Sequence, residues 1–486
     1  MVGYWAVCAA HVSSAQPEVH AMPTKMCTVV AAQDADMLFL LPDDMLLRVC
    51  KSWPNLRDWI PLSRSTRRLS DLMRPQIREI MEKPLGAANA LQMDHLARSA
   101  TLLPHDGQPN YINNVTELIR LSSVLAFLEV DFHNPVVDRG GGDKVAVAIS
   151  RGLKENNVLA KLDLSGCEIG DEGTQAIGNA LETNTSLTEL NLSENDFAEA
   201  GTIAIADLLK KNKVLTKVDI SENNDRSVLP AGDADRFAAR FDAFASALNV
   251  NTTLKSLNLH VRTTSTDVFS VDTSAFKIAA ALNVNVALTE LSVRGWYMED
   301  AAAVKIAKAL ETNMALRRLS LGLNRIKSMG VVAIANMLAV NRTLITLDLG
   351  LNDFYGPIAS VLAIALHANS TLRELYLQGM YMCDFAASAF ANALKVNTGL
   401  CVLHFGIEVN WLYMGFGAIG TEAECYVGDA GAIALAEAIR SNTALKELRI
   451  DFAEIGDVGK QALADAVTVN PNLKILDSRG CELPLA

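Results

Sequence analysis

The pattern Asn-x-x-Leu-x-x-Leu-x-Leu returns along most of this chain. Its first leucine falls at Leu159, Leu187, Leu215, Leu254, Leu288, Leu316, Leu344, Leu372, Leu400, Leu445 and Leu473. Seven of the ten intervals are 28 residues; the others are 39, 34 and 45. A weaker unit, SVLAFLEVDFHN, sets Leu125 ahead of the series. A period of this length confines the chain to stacked supersecondary units, each too small to bury its apolar face except against a neighbour.

Within a unit the residues dictate the local geometry. In TSLTELNLSEN, Leu187, Leu190 and Leu192 lie on a short strand, and Leu190 and Leu192 face the core together. An asparagine eight residues past the first leucine recurs as Asn195, Asn223, Asn324 and Asn352, where its amide can satisfy loop backbone groups. A glycine at position fourteen (Gly173, Gly201, Gly330, Gly459) predicts a helix packed close to the sheet. An Ala/Leu-rich helix such as TQAIGNALETN follows, ending on an asparagine three residues before the next leucine. That asparagine is present in all eleven units, from Asn156 through Asn184, Asn212 and Asn341 to Asn470, and is expected to stop the helix in a left-handed turn. It also generates NTS, NTT, NRT and NST, so these sequon-like triplets are read as the repeat's own cap.

The pattern resembles the leucine-rich repeat family, in the 28-residue class found in ribonuclease inhibitor, the GTPase activator of Ran and NLR receptors. The resemblance covers about three quarters of the chain and implies an α/β fold. That fold is a horseshoe solenoid with a parallel sheet on the concave face and helices on the convex face. The expected organisation is an array of about twelve units over residues 121–486, a small helical N-terminal region over 37–120, and a disordered segment over 1–36.

The irregular intervals carry information of their own. Restoring the glycine register puts the longest insertion, around residues 406–427, between strand and helix, with Gly431 at position fourteen after it. The insertions near 223–235 and 261–272 fall at the same point, as does the glycine run at 140–142. All four are read as enlarged loops on one rim, where extra loops on a solenoid commonly bind. Phe354, Met298 and Met382 occupy position ten, which is core in units bearing Ile169, Ile326 or Ile455. Tyr297, Tyr355 and Tyr381 stand beside that position, and the insertion adds Trp411, Tyr413 and Phe416. Aromatics with one polar end suit interface centres, so these six, with Tyr376 on a concave strand, are the candidate partner-binding residues. The other outward strand positions mix charges, among them Lys161, Asp163, Glu290, Arg318, Asp348, Glu374, His404 and Arg449.

No catalytic or metal-binding constellation stands out. GGGDK at 140–144 lacks the Gly-Lys-Ser/Thr of a phosphate loop, and H-E-x-x-H and G-x-S-x-G are missing. The expectation is a non-enzyme with no cofactor. A net charge of −12 argues against nucleic acid or an anionic membrane as the main partner. The eight cysteines form no C-x-x-C pair, consistent with reduced thiols in the cytoplasm or nucleus.

The stretch LPDDMLLRVCKSWPNLRDW at 41–59 differs from everything after it. A proline turn and two acids open a helix whose stripe is Met45, Leu46, Val49 and Cys50, and Pro54 ends it. This resembles the F-box, the module that docks on the adaptor of cullin-type ubiquitin ligases, and the resemblance puts Leu41, Pro42, Leu46 and Leu47 at the adaptor. A helical cap on the first repeat is the alternative. Three functions stay open on the sequence: a protein-binding scaffold acting as a ligase substrate receptor, a GTPase activator of the Ran type, and an NLR-like or structural scaffold without a ligase link.

Overall fold

A computed structural model describes residues 99–102, 116, 119–120, 127–130, 141–223, 234–261, 272–354, 356–379, 382–406, 427–450 and 455–477. The segment 41–72, with Leu41, Pro42, Leu46 and Leu47, lies outside them. Over the described residues, thirteen parallel strands form one sheet in sequence order, and eleven helices connect them from β2 onward. The strands are β1 (Ser99–Leu102), β2 (Phe127–Val130), β3 (Lys161–Asp163), β4 (Glu189–Asn191), β5 (Lys217–Asp219), β6 (Ser256–Asn258) and β7 (Glu290–Ser292). They continue as β8 (Arg318–Ser320), β9 (Thr346–Asp348), β10 (Glu374–Gln378), β11 (Val402–Gly406), β12 (Glu447–Arg449) and β13 (Lys474–Leu476). The sheet lines the concave side and the helices pack on the convex side.

The leucines point as expected. Each central strand residue is buried between two outward ones, and Leu187, Leu190 and Leu192 are all at most 1% exposed. Phe354, Met298 and Met382 are buried like Ile169, Ile326 and Ile455. The sheet begins one strand ahead of residue 121: Ser99 pairs with Phe127 in a segment that carries no Asn-x-x-Leu signature. At the other end, Leu448 pairs with Ile475 rather than Leu476, so the last unit is one residue short in strand register. Its turn accounts for the slip, because the Leu473 N–H donates to the Asn470 carbonyl.

The asparagine before each strand does not adopt a left-handed turn. Asn212 has φ −68° and ψ 133°, and Asn341 has φ −67° and ψ 135°, which is extended backbone. These side chains are buried because they join consecutive units. Asn184 Nδ2 donates to the carbonyls of Leu153 and Asn156 in the unit before, both at 2.9 Å. Its Oδ1 accepts the N–H groups of Ser186 and Leu187 in its own turn. The same rungs recur at Asn285, Asn313, Asn369, Asn397 and Asn442. Backbone groups that a tight turn would strand in the core are thereby paired. The left-handed position lies seven residues past the first leucine instead. There Gly166, Gly295 and Gly379 take φ of +64°, +72° and +79°, and Glu194, Glu222, Leu323 and Leu351 take φ of 54–59°.

Two further rows lock the strand-to-helix side. Asn195 Nδ2 donates to Leu164 O at 2.7 Å, and its Oδ1 accepts from Cys167 N and Ile169 N. In the unit of β7 this asparagine is replaced by Trp296, whose Nε1–H donates to Leu259 O at 2.9 Å and whose ring lies 3.7 Å from that of Phe241. An aspartate, unforeseen from the sequence, caps the following helix in several units. Asp171 Oδ1 accepts from Ala198 N and Gly201 N, and Asp300 Oδ1 from Lys327 N and Gly330 N. A carboxylate there also meets the positive end of the helix dipole.

This row explains the position-fourteen glycines. A Cβ at Gly330 would sit 2.8 Å from Asp300 Oδ1 and 2.9 Å from the Ala303 side chain, so glycine admits the neighbouring unit's carboxylate and helix rather than the sheet. Residues 224–233, 262–271 and 407–426, outside the described residues, each fall in sequence between a described strand and the next described helix, where the lengthened intervals put them. Gly141 and Gly142 themselves open the helix Gly141–Leu153, where a Cβ at Gly142 would strike the Cys167 carbonyl at 2.2 Å, and the stretch 131–140 ahead of them is longer than 164–170 in the next unit.

Candidate functional site: the concave sheet face

Strand alternation leaves two outward residues per unit, and parallel pairing arranges them in two rows across the sheet. In the first row, Lys161 pairs with Glu189 at 2.7 Å, Arg318 pairs with Glu290 at 2.5 Å, and Thr346 Oγ1 donates to Glu374 Oε2 at 2.8 Å. In the second row, Asn191 Nδ2 donates to Asp163, and Asn258 Nδ2 donates to Asp219. Asp163, Asp219 and Asp348 each accept a backbone N–H two residues on, which holds the carboxylates upright at the strand ends.

Between β5 and β10 this face sinks into an open hollow of about 490 Å³. Of the eight outward residues over β6 to β9, four are small, Ser256, Ser292, Ser320 and Thr346, and these alternate with Asn258, Glu290, Arg318 and Asp348. Lys217 and Asp219 stand on the β5 side, and Tyr376 and Gln378 on the β10 side. Arg294, just past β7, reaches across Gly322 to form an ion pair with Asp348. A Cβ at Gly322 would lie 2.5 Å from the Arg294 Nη1, so glycine in β8's unit keeps this crossing open. Asp348 Oδ2 also accepts from Ser320 Oγ at 2.7 Å. The small residues and Arg294 were overlooked in the sequence. Part of their signal was available, because Ser292 and Ser320 stand at equivalent outward positions of successive units.

Beyond the hollow, over β10 to β12, the face becomes aromatic and strongly polar. Tyr376 and His404 meet edge to face at 4.9 Å. His404 Nε2 lies 2.7 Å from Glu447 Oε1, an oxygen that also faces Arg449 at 3.8 Å. Burial holds the His404 imidazole below the usual histidine range despite the Glu447 hydrogen bond, and Arg449 lowers it further. The neutral ring therefore donates its Nε2–H to the carboxylate. Burial, together with the charges of Glu374, Glu447 and Asp348, pushes the Tyr376 hydroxyl up to about 12. It remains a neutral donor.

The candidate partner-binding residues separate. Tyr376 is on β10, half-buried on the concave face. Tyr297 is in the loop after β7, left-handed at φ 51°, with the Arg325 guanidinium 4.6 Å above its ring. The two stand on different surfaces, three strands apart. Tyr355, Tyr381, Trp411, Tyr413 and Phe416 lie outside the described residues. Among the described residues, no group of three or more His, Cys, Asp or Glu is arranged to hold a metal, and no helix is long and apolar enough to cross a membrane. Cys167, Cys383 and Cys401 are unbridged.

Comparison with known proteins matches this geometry at four places. The family model described as "Leucine Rich repeat" matches residues 155–178, 183–206, 312–335 and 441–464. No curated protein matches the chain. Among solved structures, leiomodin-1 actin-binding site 2 is similar at 22% identity and a TM-score of 0.28, over 36% of this chain and 90% of that one. A tropomodulin C-terminal domain from Caenorhabditis elegans is similar at 12% identity and a TM-score of 0.27, over 34% of this chain and 90% of that one. The four matched stretches carry the leucine-rich repeat, and the parallel sheet with its outer helices is a leucine-rich repeat solenoid.

Proposed function

We propose that this protein is a binding scaffold that holds a partner protein on its concave sheet, centred on the hollow over β5–β10. The observation that carries this reading is the hollow itself. It is a concave seat lined by small polar, charged and aromatic side chains, which is how protein and ligand sites are commonly built. The side chains of Ser256 and Ser292 have no protein partner among the described residues, so their hydroxyls are available to an occupant. A partner bound here would meet a rigid surface, because every outward side chain rises from a strand paired on both sides.

The test uses the full chain. Ser292→Trp would fill the floor without disturbing the buried leucines, so partner recovery by affinity purification should fall at an unchanged melting temperature. Recovery unaffected by Ser292→Trp would move the site to the strand-to-helix rim and refute the concave reading. In the finer form of this proposal the scaffold is a ligase substrate receptor, with Leu41, Pro42, Leu46 and Leu47 engaging the adaptor. Adaptor recovery that survives alanine at Leu46 and Leu47 would overturn that form alone.

A further inference from the structure

Three carboxylates raise the negative potential around the Tyr376 hydroxyl: Glu374, Glu447 and Asp348. Two of them already have nitrogen partners. Asp348 is paired with Arg294, and Glu447 faces both His404 and Arg449. Glu374 is different. Its Oε2 accepts only from hydroxyls among the described residues, from Thr346 Oγ1 at 2.8 Å and from Tyr376 Oη at a long 3.4 Å. A carboxylate gains most from charge-assisted donors, and here it has none. Two residues along the same strand and on the same face, Gln378 Oε1 is buried without a donor. An unsatisfied acceptor of this kind is stabilised when a donor arrives.

The unmet demand on this wall of the hollow is thus for N–H donors and positive charge, beside an aromatic ring. One side chain supplies all three. Guanidinium is planar, always charged, and carries five N–H donors with no acceptor. It forks onto a carboxylate and stacks on a tyrosine face, which ammonium does less well. The net charge of −12 adds long-range attraction for a basic partner.

Resting on the concave reading above, we propose that the hollow receives an extended segment of a partner protein and that an arginine of this segment docks against Tyr376. Its guanidinium bonds the Glu374 carboxylate, and Gln378 lies within the same pocket wall. The rest of the segment runs across β9 to β6 toward β5. Tyr376 acts through its ring, and Glu374 supplies the charge.

Selection of a random dodecapeptide library on the full chain, followed by fluorescence-polarisation titration of the selected peptides, tests this. The expected result is one position enriched in arginine over lysine. Binding should weaken about tenfold or more in Glu374→Gln and Tyr376→Ala, as for a central anchor, and persist in Tyr376→Phe and in the distant Lys161→Ala. Circular dichroism on each variant separates lost binding from lost folding. Peptides that are blocked by Ser292→Trp but lack arginine, or that bind Glu374→Gln unchanged, would overturn the arginine site and leave the concave scaffold standing. Peptides insensitive to Ser292→Trp would overturn both, and so would a library yielding no binder. Lysine enriched as strongly as arginine would refute the role of the planar fork.

Discussion

The two rims of the solenoid are built by different rules. On the rim where each helix turns into the next strand, an asparagine recurs in every unit from Asn156 to Asn470, and its amide bonds carbonyls of the unit before. No interval on this rim is lengthened. On the opposite rim, where strand turns into helix, the asparagine row is interrupted by Cys167 and Trp296, and the intervals of 39, 34 and 45 residues are lengthened there. Where the asparagine is missing, the next residue, Glu168 or Tyr297, also goes left-handed. One rim is thus held at fixed length by buried hydrogen bonds. The other tolerates insertions, because loop closure costs grow slowly with length once the strand and helix are anchored elsewhere.

The largest expected effect provides the scale. Leu347→Ala, at a side chain with no exposure, should lower stability by about 2–5 kcal/mol in urea denaturation, while Glu374→Ala on the outward face should cost under about 0.5 kcal/mol. Equal costs would mean that the inward and outward assignment is wrong. The contrast between rims comes next. Asn341→Ala strands the Leu310 carbonyl and the N–H groups of Thr343 and Leu344, and should cost about 2–4 kcal/mol. Asn352→Ala, the corresponding rung on the insertion-bearing rim, should cost only about 1–2 kcal/mol, because its loop can relax toward water. A reversed order would break the comparison.

Smaller still is the aspartate row. Asp300→Ala removes the oxygen that accepts two N–H groups at the next helix start and should cost about 1 kcal/mol, the size of a lost N-cap, with Asp300→Asn retaining part of it. The smallest effect is one of pH. The folded His404 pKa lies below its reference value of 6.5, so the stability it contributes is present above that value and is lost as pH falls through the folded one. The wild type should therefore lose more melting temperature than His404→Gln between about pH 7.5 and about pH 5, since only the wild-type ring can take up a proton there. Parallel pH profiles would show that burial of this ring carries no titration penalty.

Much of the fold was legible because the leucine period encodes strand direction directly. Leu190 inward, Glu189 and Asn191 outward and Met298 in the core all follow from alternation or register. What bonds across units was not legible. A period of 28 says that Asn184 and Asn212 are equivalent, but not that Asn212 Nδ2 reaches back to the Leu181 carbonyl. Local propensity pointed to a helix stop in the left-handed region, and the tertiary hydrogen bond won. The glycines were assigned a partner in the sheet for the same reason, when the atom they admit is Asp143, Asp171 or Asp300 of the preceding unit. For the site, the polar outward residues were visible in the sequence. The hollow was not, because it is formed jointly by residues of β5 to β10 that only the sheet brings side by side. Arg294's span across Gly322 required three strands to be seen side by side.

That span has a mechanical meaning. Most contacts in the sheet join one strand to the next, so a stacked array bends by small changes accumulated at each step. Arg294 instead clamps β7's unit to β9, passing over the strand between them, and Ser320 ties that middle strand to the same carboxylate. Three consecutive strands thus share one tether, and the two steps between them must open together. The solenoid is stiffened like a splinted finger at the bottom of its hollow, and flexing is displaced to the units on either side.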